Sequence, residues 1–128
     1  MALVAACRTA TESPRFLDAP GALGPYSGSV AAGGLVFASG KVGSDRSNFA
    51  AECESALLAV ETELARHGLG PADVVSVTVH LGDIGDYAAF NDVYRRHFHA
   101  PFPARTCVAV AGLPSGAHVE ITCTAVAR

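Results

Sequence analysis

The feature that most limits the fold is a series of short strands interrupted by only two amphipathic helices. Apolar side chains at helical spacing predict the first helix at 49–67, with a cap at Ser47 or Asn48. The second helix is predicted at 86–98, and Pro101 and Pro103 end it. Alternating or short apolar segments predict strands at 15–17, 35–39, 74–82, 105–111 and 118–127.

Two helices can cover only one face of such a sheet, so the sequence predicts a two-layer α+β domain with a mixed sheet. We expect the helix-facing residues of the last strand to be Val119, Ile121, Cys123, Ala125 and Ala127. In the strand at 74–82, alternation places Val75, Val77, Val79 and Leu81 together on one face. The opposite face of the last strand carries His118, Glu120, Thr122, Thr124 and Val126. A mixed face of this kind is typical of a surface buried against another subunit.

The first helix also carries four glutamates that fall outside its apolar stripe: Glu52, Glu54, Glu61 and Glu63. The chain has 128 residues, which fits an N-terminal extension at 1–14 and one domain at 15–128. No apolar segment has the length of a membrane span, and the opening residues lack the apolar centre of a signal peptide. These observations predict a cytoplasmic protein.

Charge and metal-ligand patterns exclude some classes of function. The formal net charge is -3 and the arginines are scattered, apart from Arg95–Arg96, which argues against nucleic acid as the main partner. The cysteines, Cys7, Cys53, Cys107 and Cys123, include no CxxC pair and are expected as reduced thiols. The five histidines do not have zinc-site spacing, so no metal is expected.

Arg105 is the most informative single residue, because it begins an otherwise apolar strand. Strand alternation places it on the same side as Cys107. A guanidinium in a partly dry setting needs a planar partner, which a carboxylate provides through two parallel hydrogen bonds. Composition leaves two interpretations open: Arg105 forms an ion pair with an acid of the same chain, or it binds the carboxylate of a ligand.

Four further residues are candidates, and each has a second explanation. Glu120 is either a solvated or arginine-paired strand residue, or a carboxylate that orients or deprotonates water. Asn91 either faces solvent or lines a site, and Tyr26 either packs in its loop or closes over a ligand. Cys107 lies near an arginine, but no histidine is paired with it locally, which disfavours a nucleophilic role.

Several segments, in order and at compatible spacing, resemble one family. They are APGALGPYSGSV (19–30), VFASG (36–40), VVSVTVHLGDIGDYAAFNDVYRRHF (74–98) and PARTCVAVAGLPSGAHVEI (103–121). The last is the most specific, because it is similar to the pattern PARS.V.V..LP..A.VEIE. From about Ala19 onward the chain resembles the Rid (reactive intermediate deaminase) family, also called YjgF/YER057c/UK114 and, in older usage, endoribonuclease L-PSP.

The resemblance implies a chorismate-mutase-like fold, a homotrimer with ligand clefts between subunits, and no cofactor or metal. It implies hydrolysis of 2-imino acids or their enamine tautomers, such as 2-aminoacrylate, to 2-keto acids and ammonia. By position, Arg105 matches the carboxylate-binding arginine, Glu120 the acid that positions water, and Cys107 a residue whose backbone carbonyl contacts that water. Other cleft positions are matched by Tyr26, Ser39, Gly40 and Asn91.

The chain also departs from the family pattern. Gly28 and Lys41 stand where the family usually has glutamine, and the connection from Gly40 to the first helix is shorter. Loops of this kind shape access to a cleft, so a dedicated biosynthetic role on a different imine or carboxylate intermediate competes with general imine hydrolysis. The family pattern is also compatible with a non-catalytic metabolite-binding or chaperone-like trimer and with a weak endoribonuclease. The acidic balance and the lack of a histidine pair argue against the ribonuclease.

Overall fold

The computed structural model describes residues 12–128, so Cys7 and most of the expected N-terminal extension lie outside the described residues. Six strands form one mixed sheet in the order β1-β2-β3-β6-β4-β5. The strands are β1 (Arg15–Leu17), β2 (Ser29–Ala32), β3 (Leu35–Val42), β4 (Val74–Leu81), β5 (Ala104–Ala109) and β6 (Val119–Val126). The helices are α1 (Phe49–Ala65) and α2 (Tyr87–Tyr94).

The sheet has one more strand than the five predicted. β2 pairs antiparallel with β3 across Gly33 and Gly34, whose φ angles of 59° and 79° favour glycine. The sequence prediction missed β2 because its four residues, SVAA, are too few and too small to show an alternating pattern. Only β4 and β5 pair in parallel; the other strand pairs are antiparallel.

Both helices pack on one face of the sheet, as the sequence predicted. The β6 residues that face them, Val119, Ile121, Cys123 and Ala125, are all buried and join one core cluster with residues of α1 and α2. Asn48 caps α1 by accepting a 2.8 Å hydrogen bond from the backbone of Ala51. α1 ends two residues earlier than expected and α2 four residues earlier, because each is followed by turns.

The prediction that Val75 shares one face of β4 with Val77, Val79 and Leu81 is wrong. Val75 is 44% exposed, whereas Val74 is 6% exposed. The register of β4 against β6 shifts between Val74 and Ser76, and this irregularity turns Val75 away from the helices. Val77, Val79 and Leu81 are buried as predicted.

Two of the α1 glutamates that fall outside its apolar stripe are buried. Glu52 is 2% exposed and accepts hydrogen bonds from the backbone of His118 at 2.7 Å and from its Nδ1 at 2.9 Å. Glu63 is 7% exposed and has a partner on β2 and another on β3. Buried carboxylates need such partners, and these come from segments distant in sequence, so local periodicity could not reveal them.

His97, in the segment after α2, contacts two glutamates on the outer side of α1. Its Nδ1 lies 2.8 Å from Glu61 Oε1 and its Nε2 lies 2.9 Å from Glu54 Oε2. Burial lowers the pKa of His97, but the bonds to both glutamates outweigh it and hold the pKa above the ordinary value. The charged form of His97 therefore stabilises the fold.

We expect the stabilisation by His97 to depend on pH. Because its pKa is raised on folding, the contribution is complete below the unfolded value of about 6.5 and is lost as pH rises through the folded value. Urea unfolding of wild type and His97→Gln should differ by about 1 kcal/mol near pH 6 and by less near pH 9. A difference that stays constant or grows with pH would contradict this assignment.

Within the described residues, no helix is both long enough and apolar enough to cross a membrane.

Candidate functional site

The structure divides the predicted site residues between two places. The Arg105 group consists of Arg105 and Asn91, with Cys107 two residues further along β5. The Glu120 group consists of Tyr26, Ser39, Gly40 and Glu120, which line one cavity. Each group has its own geometry and electrostatics.

α2 holds the Arg105 side chain by neutral contacts. Nη2 of Arg105 donates to Asn91 Oδ1 at 2.8 Å and to the Tyr87 hydroxyl at 3.2 Å. The guanidinium carbon lies 4.7 Å from the ring centroid of Tyr94 and 5.7 Å from that of Phe90. These contacts fix the direction of the guanidinium without neutralising its charge.

The structure decides against an intramolecular ion pair for Arg105. Residues 12–128 contain all 12 acidic residues of the chain, and none of them forms a salt bridge with Arg105. Its charge is therefore left for a partner outside this chain, and the planar fork favours a carboxylate or another oxyanion.

A cavity of about 230 Å³ opens beside Arg105. It is lined by Asn91, Tyr94, Arg95, Phe102, Pro103 and Arg105. This lining contains two arginines and no acidic residue, with aromatic rings as its apolar walls. Such a cavity suits a small anion that also has an apolar part.

Cys107 is poorly suited to act as a nucleophile. It is half-buried and packs against the core. Burial raises the pKa of its thiol more than the nearby Arg105 lowers it, so the thiol is protonated at neutral pH. The role that the resemblance implies, a contact through the backbone carbonyl, stays a prediction.

The Glu120 group surrounds a second cavity, of about 400 Å³. Its lining residues are Leu23, Gly24, Tyr26, Ser39, Gly40, Val42, Pro114 and Glu120. The pairing of β3 with β6 is irregular at Ser39 and Gly40, and Ser39 Oγ donates to the Ser27 carbonyl at 2.6 Å. This bond ties the loop that carries Tyr26 to β3. The Glu120 carboxylate has no protein hydrogen bond within residues 12–128, so it is free to bind water or a ligand.

Gly40 provides the space that the Glu120 side chain occupies. A Cβ at position 40 would lie 2.8 Å from Cδ and 3.1 Å from Cγ of Glu120, and still closer to its Oε1. The carboxylate position therefore requires glycine, although the backbone conformation at Gly40 does not.

We expect Gly40→Ala to displace the Glu120 carboxylate and to reduce the imine hydrolysis that the family resemblance implies by about 10-fold to 100-fold, because a displacement of about 1 Å in a positioning group has an effect of this size. The thermal midpoint should change much less, since Glu120 is only half-buried. A matched control is Gly112→Ala, where an added Cβ meets open space. Equal turnover in both variants would show that Gly40 does not place Glu120.

The two groups do not meet in one chain. Arg105 on β5 lies beside Val77 on β4, and the Val77 side chain is buried under the helices, so Arg105 is on the helix-covered face. Glu120 alternates along β6 with the buried Val119 and Ile121, so its side chain is on the opposite face. β4 separates β5 from β6, which places the two strands about 10 Å apart. A substrate at Arg105 cannot reach Glu120 of the same chain through the sheet.

Two of the departures from the family pattern, Gly28 and Lys41, lie next to one buried acid, Glu63. Lys41 Nζ lies 3.2 Å from Glu63 Oε2, and a Cβ at Gly28 would lie 2.9 Å from Glu63 Oε1. Ser29 Oγ and Arg66 Nη1 also donate to Glu63, at 2.5 and 3.0 Å. Neither Gly28 nor Lys41 lines either cavity. These substitutions therefore belong to the packing of α1 on the sheet rather than to the candidate site.

Sequence reasoning missed the second arginine and the aromatic walls around Arg105. Tyr87, Asn91 and Tyr94 lie at i, i+4 and i+7 on α2, a spacing that places them on one face of the helix. That signal could have linked them to one another, but not to a strand that follows later in the chain. Among the described residues, no group of three or more His, Cys, Asp or Glu could hold a metal ion.

Comparison with known proteins decides the family. A family model described as endoribonuclease L-PSP matches residues 16–127. The chain belongs to the Rid family. A Rid relative from Sinorhizobium fredii, named RutC family protein y4sK, is 40% identical over 111 residues, covering 81% of this chain and 88% of the relative. The human 2-iminobutanoate/2-iminopropanoate deaminase is 37% identical over 115 residues, covering 84% of both chains.

Solved structures of Rid proteins share the fold. The yeast protein YEO7 superposes with a TM-score of 0.86 at 30% identity, covering 91% of this chain and 100% of the yeast chain. RidA from an Antarctic Psychrobacter species gives a TM-score of 0.80 at 36% identity, covering 85% and 94%. The names of the Rid relatives differ, from RutC family protein to imine deaminase, so the family alone does not specify the reaction.

Proposed function

We propose that this protein hydrolyses 2-imino acids, or their enamine tautomers, to 2-keto acids and ammonia without a cofactor. The observation that carries the proposal is the unpaired Arg105, held by neutral contacts beside a cavity for a small anion. Relatives named 2-iminobutanoate/2-iminopropanoate deaminase, at 37–39% identity, support this reaction class.

Arg105 would bind and orient the substrate by its carboxylate. Two parallel hydrogen bonds fix the plane of the carboxylate, and with it the adjacent C=N group. The iminium carbon is already electrophilic, so hydrolysis needs no covalent nucleophile. The raised pKa of Cys107 is in keeping with that requirement, because a protonated thiol is a weak nucleophile.

Glu120 would position the attacking water. The water oxygen adds to the iminium carbon, the C=N π electrons move to nitrogen, and Glu120 accepts the proton released by the water. Glu120 then gives this proton to the carbinolamine nitrogen, which becomes an ammonium leaving group. The C–N bond breaks as C=O forms, and Glu120 takes the hydroxyl proton and passes it to the departing ammonia, so the products are the 2-keto acid and ammonium and Glu120 is again a carboxylate.

The complete site would form between subunits of a homotrimer. Arg105 of one chain and Glu120 of another can face a single substrate, whereas the two residues of one chain lie on opposite faces of the sheet. The open face of the sheet also exposes large apolar side chains: Phe37 is 46% exposed, Val126 44% and Val108 42%. Burial of this face against neighbouring subunits would remove these side chains from water.

The experiment generates 2-imino acids in the assay with an amino acid oxidase and follows their disappearance. Addition of the protein should accelerate the loss of the imine and release 2-keto acid and ammonia in equal amounts. Small, branched and aromatic substrates are each included. A rate equal to the spontaneous rate for all of them would overturn the proposal.

The same preparations discriminate the competing functions. An endoribonuclease should cleave RNA whether or not Arg105 is intact, and a purely metabolite-binding trimer should bind 2-keto acids without accelerating imine loss. A dedicated biosynthetic role would appear as turnover of one substrate class only. The cytoplasmic location is part of the proposal and is tested by cell fractionation.

A further inference from the structure

We propose that Arg95 binds a second acidic group, so that the preferred substrates are 2-imino acids with a carboxylate in the side chain. This inference rests on the proposed function and specifies its substrate class. It starts from the observation that Arg95 and Arg105 line the same cavity of about 230 Å³.

The cavity carries two guanidinium groups, and within the described chain only that of Arg95 has an ion pair, an exposed one with Asp92. No acidic residue lines it, and Arg105 has no ion pair there. A monocarboxylate would neutralise one guanidinium, and a dicarboxylate would neutralise both. Within one chain, the volume is sufficient for a small dicarboxylic imino acid.

Arg95 is free to turn towards such a ligand. Its single ion pair among the described residues is with Asp92, at 3.2 Å and three residues away on α2. Both side chains of this pair are exposed, 66% for Arg95 and 74% for Asp92. An exposed pair of this kind contributes little, so a ligand carboxylate can replace Asp92 at small cost.

Tyr94 forms an apolar wall of the cavity. Its ring contacts the Arg105 guanidinium and lines the same cavity. The carbon chain between the two carboxylates of such a ligand can pack against this ring.

The test compares 2-iminosuccinate and 2-iminoglutarate with 2-iminobutanoate in the oxidase-coupled assay. Wild type should show a kcat/KM at least about 10-fold higher for the dicarboxylic substrates, the effect of one charge-assisted contact. Arg95→Gln should lose this preference, because its rate falls much more with the dicarboxylates than with 2-iminobutanoate. Arg96→Gln is the matched control, because Arg96 is also exposed and does not line the cavity.

Binding of the 2-keto acid products gives a second measurement that does not depend on turnover. Oxaloacetate should bind more tightly than 2-oxobutanoate to wild type and to Arg96→Gln, but not to Arg95→Gln. Turnover of 2-iminobutanoate without preference for the dicarboxylates would overturn the role of Arg95 and leave the proposed function intact. No turnover of any imine would overturn the proposed function, and with it the substrate class.

Discussion

Arg105→Gln should reduce kcat/KM for imine hydrolysis about 100-fold or more, because loss of one partner in a desolvated charge pair costs about 2–5 kcal/mol. Glutamine is a polar side chain, but it has no positive charge and cannot donate two parallel hydrogen bonds to a carboxylate as a guanidinium does. The loss is measured as the rate of imine disappearance across a range of substrate concentrations.

Two controls separate binding from folding. Arg105→Lys keeps the positive charge but lacks the planar guanidinium that can donate two parallel hydrogen bonds, so its activity should lie between those of wild type and Arg105→Gln. The thermal midpoint of Arg105→Gln should stay within about 5 °C of wild type, since the contacts of Arg105 in the free chain are neutral and modest. Wild-type activity in Arg105→Gln would refute the assigned role.

The largest expected effect on stability is at Glu63. Glu63→Gln should reduce the free energy of unfolding by about 3 kcal/mol at neutral pH, because it leaves the Lys41 ammonium in a largely buried place without its counter-charge. Urea unfolding monitored by circular dichroism measures this loss. The catalytic parameters per folded molecule should change little, since Glu63 lines neither the Arg105 nor the Glu120 cavity.

The pH dependence supplies a further check. Burial raises the pKa of Glu63, but Ser29, Lys41 and Arg66 together lower it by more. The stabilisation is therefore complete above the unfolded value of about 4.3 and is lost as pH falls through the lower folded value. The difference between wild type and Glu63→Gln should shrink in that acidic range.

A double variant tests the coupling between the two charges. Lys41→Gln/Glu63→Gln removes both, so it should recover part of the stability that Glu63→Gln loses. A double variant that is only as stable as the sum of the two single losses predicts, or less stable, would show that Lys41 and Glu63 do not act as a pair.

The sequence predicted the layer arrangement because periodicity reports directly on which side of an element is buried. The alternation in β6 identified its core face, and the spacing in α1 identified its apolar stripe. Features that depend on irregular pairing were missed, such as the outward rotation of Val75. The burial of Glu52 and Glu63 was missed for a related reason, since their partners lie on distant segments.

For the candidate site, the sequence identified individual residues better than their arrangement. The family motif singled out Arg105 and Glu120, but only the structure shows that Arg105 lacks an ion pair in its own chain and that the sheet separates the two. Arg95 could not be assigned from the sequence, because a charged residue on an exposed helix usually faces solvent. Its position in the Arg105 cavity depends on how α2 packs beside β5.

The most direct test of a site shared between subunits combines two inactive variants. Arg105→Gln and Glu120→Gln chains, each with a different affinity tag, are co-expressed, and assemblies that contain both are isolated by two successive purifications. In a cyclic trimer of mixed composition, one of the three interfaces pairs an intact Arg105 with an intact Glu120, so activity should return to about one third of wild type. Mixed assemblies no more active than either variant alone would contradict a site shared between subunits.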